Sequence, residues 1–388
     1  MDLLEHQGKF LLAATGLPVP EGEIARTADQ AEAVTRSLGG RAVVKAQVPA
    51  GKRGKAGAVQ VVASPEEARE VADRLLGSEV GGVTVEELLV EEAADIAREM
   101  YAAVLDDPQT KGPLLLFSTQ GGMDIEEVNA TNPELVHRLP VPIRDGLPDG
   151  AVEQLLSGTD LADEESQAVA GALRRLYDLY RDADAALVEV NPLVLTAAGT
   201  VVALDAKITV DSASEPRQQE RLDSIPGGPP PPRGTELELR GRELGLHYIE
   251  LDGEVGVLAN GAGLTMTTLD AVHHFGGRPA NFLEIGGDAY TKATPALELA
   301  LSNPRVSSLL VNFCGAFART DVMTEGVVKA IEELRPELPI VFTIHGTGEA
   351  EAVAMVRERL GAEPYDLMDD AVRAAVAAAR GASKEAAS

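Results

Sequence analysis

The chain has 388 residues, 45% of them hydrophobic, 3% aromatic and none Trp, enough for two or three domains with aliphatic cores. A formal charge of -28 argues against nucleic acid or an anionic membrane as partner, and no run approaches the roughly 18 apolar residues of a membrane span. The single cysteine, Cys314, excludes an intramolecular disulfide framework; with an N-terminus that lacks the basic-then-apolar pattern of a secretory signal, it points to the cytoplasm.

In chain order, "HQGKFLLAATG" is a predicted helix, and "AVVKAQV" and "AVQVVA" are predicted strands around a connection rich in Gly and Lys. "SPEEAREVADRLLG" opens on a Ser N-cap, a Pro at N1 and an acidic first turn, which predicts a helix from Pro65. "EELLVEEAADIAREMYAAVLDD" starts as a strand and continues as strand or helix, and "ESQAVAGALRRLYDLYRDADA" is an amphipathic helix. It feeds "LVEVNPLVLTAAGTVVALDAK", two apolar runs joined by a turn at "AAGT". Residues 1–223 thus read as an α+β domain that can divide into two lobes. From Pro226, five prolines and three glycines fall within nine residues, so 224–235 is a linker.

Residues 236–388 alternate regularly. The strands "EVGVLA", "ANFLEI", "SSLLVNF" and "LPIVFTI" are each followed by an amphipathic segment, "GLTMTTLDAVHHF", "TPALELALS", "DVMTEGVVKAIEEL" and "EAEAVAMVRERLG". That alternation predicts a parallel sheet with helices on both faces. The chain closes on "AAARGASKEAAS", a helix fraying into a tail.

Four constellations carry chemistry. Lys45, in a strand, precedes Gly51, Lys52, Arg53, Gly54 and Lys55, a basic loop that can cradle an anion or simply be a solvated hairpin; it is not a Walker A loop. "LLVEEAADIAREM" ends a strand in Glu91 and Glu92, with Glu99 eight residues after Glu91, which is also what a solvated edge looks like. Asn191 and Asp205 stand on neighbouring runs joined by a short turn, so they can face each other as the hard-oxygen donors that Mg²⁺ takes. Equally, Asn191 can start a turn before Pro192, and Asp205 can pair with Lys207 or Lys45. Last, "NGAGLTM", "CGAFART" and "HGTGEAEA" put small-residue turns at the carboxyl ends of three strands, where helix N-termini bind anions and Arg319 is available for charge.

Taken together, "VVKAQVPAGKRGKAG", "LVEEAADIAREM", "VEVNPLVLT", "ALDAK", "NGAGLTM" and "LVNFCGAFARTD" resemble the β subunit of succinyl-CoA synthetase (succinate–CoA ligase) over nearly the whole chain, from Leu3 to the last helix. The resemblance implies a two-lobed ATP-grasp domain followed by a flavodoxin-like CoA-ligase domain, and an acid–thiol ligase of the tricarboxylic acid cycle. It implies that Lys45, Lys52, Arg53, Gly54, Glu91, Ala94 and Glu99 bind nucleotide, ATP/ADP or GTP/GDP. Asn191 and Asp205 would hold Mg²⁺, and Glu189 would face a phosphohistidine of the α subunit. Asn260 and the turn Ala316, Phe317 and Ala318 would meet succinate and phosphate, and CoA would bind where the two subunits share a site. The partner would be that α subunit, in a heterodimer or heterotetramer. None of the six histidines here sits in a motif for the phosphorylated one.

The chain departs from the family at four places. Lys52 stands where the family usually has Gly, "CGAF" where it has "FGGI", Thr343 where it has Arg and Gly348 where it has Asn. Two alternatives follow: a ligase for another dicarboxylate such as malate, or a nucleotide-binding partner subunit that turns over poorly.

Overall fold

Side chains of a strand alternate between its faces, and the strand Ala42–Ala46 sorts them by polarity: Ala42, Val44 and Ala46 enter an apolar core, while Lys45 points the other way. The computed structural model describes residues 1–49, 53–54, 56–230, 234–286 and 289–385, and its chain divides into two units, Met1–Pro231 and Pro232–Ser388. Among the described residues the first unit holds, besides a two-stranded sheet of Glu79–Val80 with Val83–Thr84, two larger antiparallel sheets. In one, the strands run in the order Gly22–Ala25, Leu88–Glu92, Ala42–Ala46, Val59–Val62. The helices Ala28–Ser37 and Pro65–Leu75 cover its apolar face through Ala31, Val34, Ala68 and Val71. Ser64 caps the second of these helices, its side chain accepting from the Glu67 N–H at 3.2 Å.

The other sheet has the order Val201–Ala203, Ala185–Thr196, Ile96–Asp107, Gly112–Ser118, His137–Pro140, and Lys207–Val210 also pairs with Ala185–Thr196. The helix Asp163–Asp182 lies on one face, with Leu173 and Leu176 in a core with Val188, Val190 and Phe117. Segment "IAREMYAAVLDD", open between strand and helix from sequence, is a strand. It pairs on both sides, with Ala185–Thr196 and with Gly112–Ser118, and those two ladders outweigh the helix preference of its Ala, Glu and Met.

In the second unit the strands run His247–Glu250, Asn281–Glu284, Val255–Ala259, Ser308–Gly315, Ile340–Gly346. The last four are parallel and His247–Glu250 is an antiparallel edge. Helices cover both faces: Ala289–Leu301, Thr320–Leu334 and Glu349–Leu360 on one core, Ala262–His274 and Met368–Glu385 on the other. Counting the parallel strands from Val255–Ala259, the order is 2-1-3-4, the flavodoxin-like winding, and its direction reverses between Val255–Ala259 and Ser308–Gly315. The helix expected over "TPALELALS" begins earlier, at Ala289, so Pro295 lies inside it; Ala293, Ala296 and Leu297 are fully buried, and that packing outweighs the missing N–H. The helix Glu236–Glu243 and the edge strand after it have no counterpart in the reading from sequence.

Candidate functional site

The face of the first sheet that carries Lys45 also carries Glu91, because Glu91 pairs with Val43 and so stands diagonal to Lys45. A buried Lys and Glu there need partners, and the helix Glu5–Ala14 supplies them. Its residues Glu5, Lys9 and Leu12 share one stripe, and all three are buried. Lys9 Nζ lies 2.9 Å from Glu5 Oε1 and 2.5 Å from Glu91 Oε2. Lys45 Nζ lies 2.9 Å from the same Glu5 oxygen and 2.5 Å from Glu91 Oε1, and donates to the Leu204 carbonyl at 2.5 Å. Arg53 Nη1 donates to the Ala46 carbonyl at 3.1 Å and lies 2.6 Å from Glu5 Oε2, off the N–H direction, so that contact is Coulombic rather than a directed hydrogen bond. Its Nη2 donates to Asp205 Oδ1 at 2.7 Å. Among the described residues three cations and three carboxylates thus form one connected, formally neutral network.

The charges hold one another. Burial opposes ionisation of Glu5, but Lys45, Lys9 and Arg53 outweigh it and hold the carboxyl well below its ordinary range. Burial likewise pulls Lys45 down, and Glu5, Glu91 and Asp205 more than reverse it. Among the described residues Asp205 forms its ion pair with Arg53 rather than with the Lys207 or Lys45 weighed from sequence, though its charge also helps hold Lys45 protonated. Glu5 and Lys9 escaped that reading because an E-x-x-x-K pair on a helix normally means a solvated face; the signal was their place on the stripe of Leu12.

Asn191 sits where the pairing of Ala185–Thr196 with Ile96–Asp107 slips between Val190 and Leu193, a bulge of the kind that re-aims a side chain. On the other side of the strand, Leu193 pairs with Ala203 and Glu189 with Lys207 in one continuous register, which sets Asn191 opposite Asp205. Asp205 itself occupies the break between the strands Val201–Ala203 and Lys207–Val210, and its carboxylate also accepts from the Ala206 N–H at 2.7 Å. The Asn191 amide is held by a loop that sequence reasoning passed over: Oδ1 accepts from the Gly122 N–H and Nδ2 donates to the Met123 carbonyl, both at 2.8 Å. Gly122 has φ +69°, and any Cβ there would collide with the Glu99 carboxylate, so this glycine lets Glu99 and Asn191 share one end of the sheet. Ala94 is half-buried in the turn between Leu88–Glu92 and Ile96–Asp107. Gly54 lies in the turn beside Arg53, and Lys52, with Gly51 and Lys55, falls outside the described residues.

Among the described residues no three His, Cys, Asp or Glu side chains converge as a metal cage. Asn191 and Asp205 fit a hard cation that keeps most of its oxygens from elsewhere, as Mg²⁺ does when it arrives with phosphates. Glu189 is half-buried nearby. Burial raises its pKa, Lys207 opposes, and Asp205, Glu126 and Asp124 push further up. With the folded value above the unfolded one of about 4.5, its contribution to stability is present below that value and lost as pH rises through the folded pKa. At pH 7 the charge therefore works against the fold. Glu189→Gln should raise the thermal midpoint at pH 7 by on the order of 1–2 °C, with the gain gone at pH 4, by calorimetry at both values; a lower midpoint at pH 7 would show that the Lys207 contact dominates.

In the second unit, Asn260 follows Val255–Ala259 at the point where the winding reverses, opposite the end of Ser308–Gly315. Its amide spans that gap: Nδ2 donates to the Cys314 carbonyl at 2.9 Å and Oδ1 accepts from the Cys314 N–H at 2.8 Å. The turn Ala316, Phe317 and Ala318 comes next, with the Phe317 side chain fully exposed. The Thr347 hydroxyl donates to the Ala316 carbonyl at 2.9 Å, and at Gly346, with φ +110°, a Cβ would strike the Gly315 carbonyl; the two turns are stitched together. Arg319, read as available for charge, is instead engaged by Asp321 at 3.0 and 2.8 Å. Thr343 is fully buried, its hydroxyl 3.4 Å from His345 Nε2.

Residues 2–195 match the ATP-grasp domain model and residues 258–377 the CoA-ligase model. The succinate–CoA ligase [ADP-forming] subunit beta of Rubrobacter xylanophilus is 44% identical over 98% of this chain and 99% of its own. The chain belongs to the succinate–CoA ligase β-subunit family. The second β subunit of Streptomyces coelicolor, also ADP-forming, is 42% identical over 99% of this chain and 98% of its own. The GDP-forming β subunit of Thermus thermophilus is 38% identical over 99% of this chain and its whole length. The ATP citrate lyase of Methanothrix soehngenii superposes with a TM-score of 0.74 over 97% of this chain and 99% of that one; at 23% identity it speaks for the fold alone. Membership of this family makes the chain an ATP-grasp ligase subunit, and no described helix is long and apolar enough to cross a membrane.

Proposed function

We propose that the chain is the nucleotide-binding β subunit of a cytoplasmic succinate–CoA ligase, active with an α subunit that carries the phosphorylated histidine and binds CoA. What carries the reading is that a curated β subunit matches 98% of the chain, with ATP-grasp and CoA-ligase models at 2–195 and 258–377, while Lys45, Arg53, Asn191 and Asp205 stand together in the first unit. In this reading Lys45 and Arg53 hold the nucleotide phosphates, with Lys52 and Gly54 of the same loop. Glu91 fixes Lys45, while Ala94 and Glu99 line the nucleotide. Asn191 and Asp205 would hold magnesium, which when bound offsets the charge of the phosphates. Glu189 accepts a hydrogen bond from the partner's imidazole and orients it for in-line attack on the γ-phosphorus. The N–P bond forms as the bond to the leaving nucleoside diphosphate breaks. Asn260 and the turn Ala316–Ala318 meet the acid, which takes the phosphoryl group as an acyl phosphate before the thiol of CoA displaces phosphate.

The chain by itself should bind nucleotide and form no acyl-CoA, and adding the α subunit should confer both phosphorylation and ligation. The test is calorimetric titration of the chain with ADP and GDP, then an acid panel with CoA and the assembled enzyme. Acyl-CoA formation by the chain alone would overturn the two-subunit reading. A second acid, such as malate, is favoured by one observation: the exposed Phe317 and buried Thr343 make the acid end bulkier and less cationic than the family pattern. Succinate and malate are therefore the first two members of the panel.

A further inference from the structure

We propose that Glu5, on the first helix, is the positioning residue for the two phosphate-holding cations Lys45 and Arg53, and that Lys9 supplies the balancing charge that leaves both available to an anion. The inference rests on the phosphate-site reading above and adds two residues to it. Glu5 is the one carboxylate of the network that all three cations approach, through Oε1 for Lys9 and Lys45 and through Oε2 for Arg53. Lys45 and Arg53 come from a strand and from the loop after it; Glu91 and the Leu204 carbonyl hold the one, Asp205 and the Ala46 carbonyl the other, and Glu5 is the carboxylate that meets both and so ties their spacing together. A fixed spacing matters, because a cation held in place needs no reorganisation when the phosphate arrives.

Lys9 touches the same two carboxylates that Lys45 does. Remove it, and among the described residues Glu5, Glu91 and Asp205 face only Lys45 and Arg53, one positive charge fewer where a polyphosphate must settle. The helix can serve as a support because other contacts seat it. Leu11 and Leu12 enter the core of the first unit. The His6 N–H donates to Gln47 Oε1 at 3.0 Å, beside the strand of Lys45, and Gln7 Nε2 donates to the Gly228 carbonyl at 2.9 Å. The Leu3 N–H donates to the Ile208 carbonyl at 2.9 Å, two strand residues beyond the break that holds Asp205.

The experiment compares the wild-type chain with Glu5→Gln, Lys9→Met and Arg53→Ala. Each is titrated with ADP and with adenosine, or with GDP and guanosine if the wild type prefers them, and then assayed with the α subunit. For Glu5→Gln and Lys9→Met we expect the diphosphate Kd to rise about tenfold, the size of coupling between neighbours in one network, and the nucleoside Kd to stay within twofold. In the assembled enzyme KM for the nucleotide should rise likewise, with kcat at saturation within threefold. A purely structural plug would change diphosphate and nucleoside alike, or lower only the thermal midpoint, and either result overturns the inference. If Arg53→Ala leaves diphosphate binding intact, the phosphate-site reading itself is wrong. If Arg53→Ala weakens it while both helix variants bind like wild type, only the role of Glu5 and Lys9 falls. Should Glu5→Gln fail to fold, Lys9→Met decides.

Discussion

Asp205→Asn should reduce magnesium-dependent phosphorylation of the α subunit by at least about a hundredfold while leaving the chain folded. The substitution keeps the size of the side chain and its capacity to accept from the Ala206 N–H, but it removes one of the two charges of the Arg53 pair and one of two protein donors on a cation that demands near-ideal octahedral geometry. Because the side chain is about one-third exposed, stability should change little. ADP affinity measured without magnesium should hold or improve, since the variant removes a negative charge beside the phosphates. Phosphorylation at the wild-type rate would mean that Asp205 serves only to pair Arg53.

Lys45→Met should have the largest effect on the fold. Glu5 and Glu91 are nearly fully buried, and removing one of three cations leaves the network with an uncompensated carboxylate in a dry site. Breaking a buried ion cluster on one side typically costs about 3–5 kcal/mol, a fall in thermal midpoint on the order of 10 °C for a unit of this size. The pH dependence gives a second handle. Since folding depresses the Glu5 pKa, its stabilisation is present above the unfolded value of about 4.5 and is lost as pH falls through the folded one. Urea unfolding of the wild type should therefore show stability dropping below pH 4.5, and the Lys45→Met variant should lose less over the same range because Glu5 has already lost its main partner. A cost under about 1 kcal/mol at pH 7 would show that the six residues do not act as a unit.

Much of this protein follows from local sequence. A Ser-Pro-Glu-Glu run caps a helix wherever it occurs, because its hydroxyl and ring act within one turn. Apolar alternation in 236–388 is enough for a doubly covered parallel sheet, since only burial on both faces explains it. Asn191 and Asp205 could be paired from sequence because a short turn leaves two strands only one simple register. What stayed hidden depends on elements far apart in the chain. That Glu5 and Lys9 lie under a sheet rather than in water is decided by where the first helix docks, 40 residues from the Lys45 that Glu5 binds and 82 residues from the Glu91 that Lys9 binds. Arg53 rather than a lysine faces Asp205 because a loop folds back 152 residues away from its partner. Asn260 is tied to Cys314, 54 residues on, by the geometry of strand ends that sequence places but does not orient. Short-range hydrogen bonding and side-chain period act through the chain itself; the convergence of buried charges depends on which faces the tertiary structure closes, and desolvation makes those closures decisive.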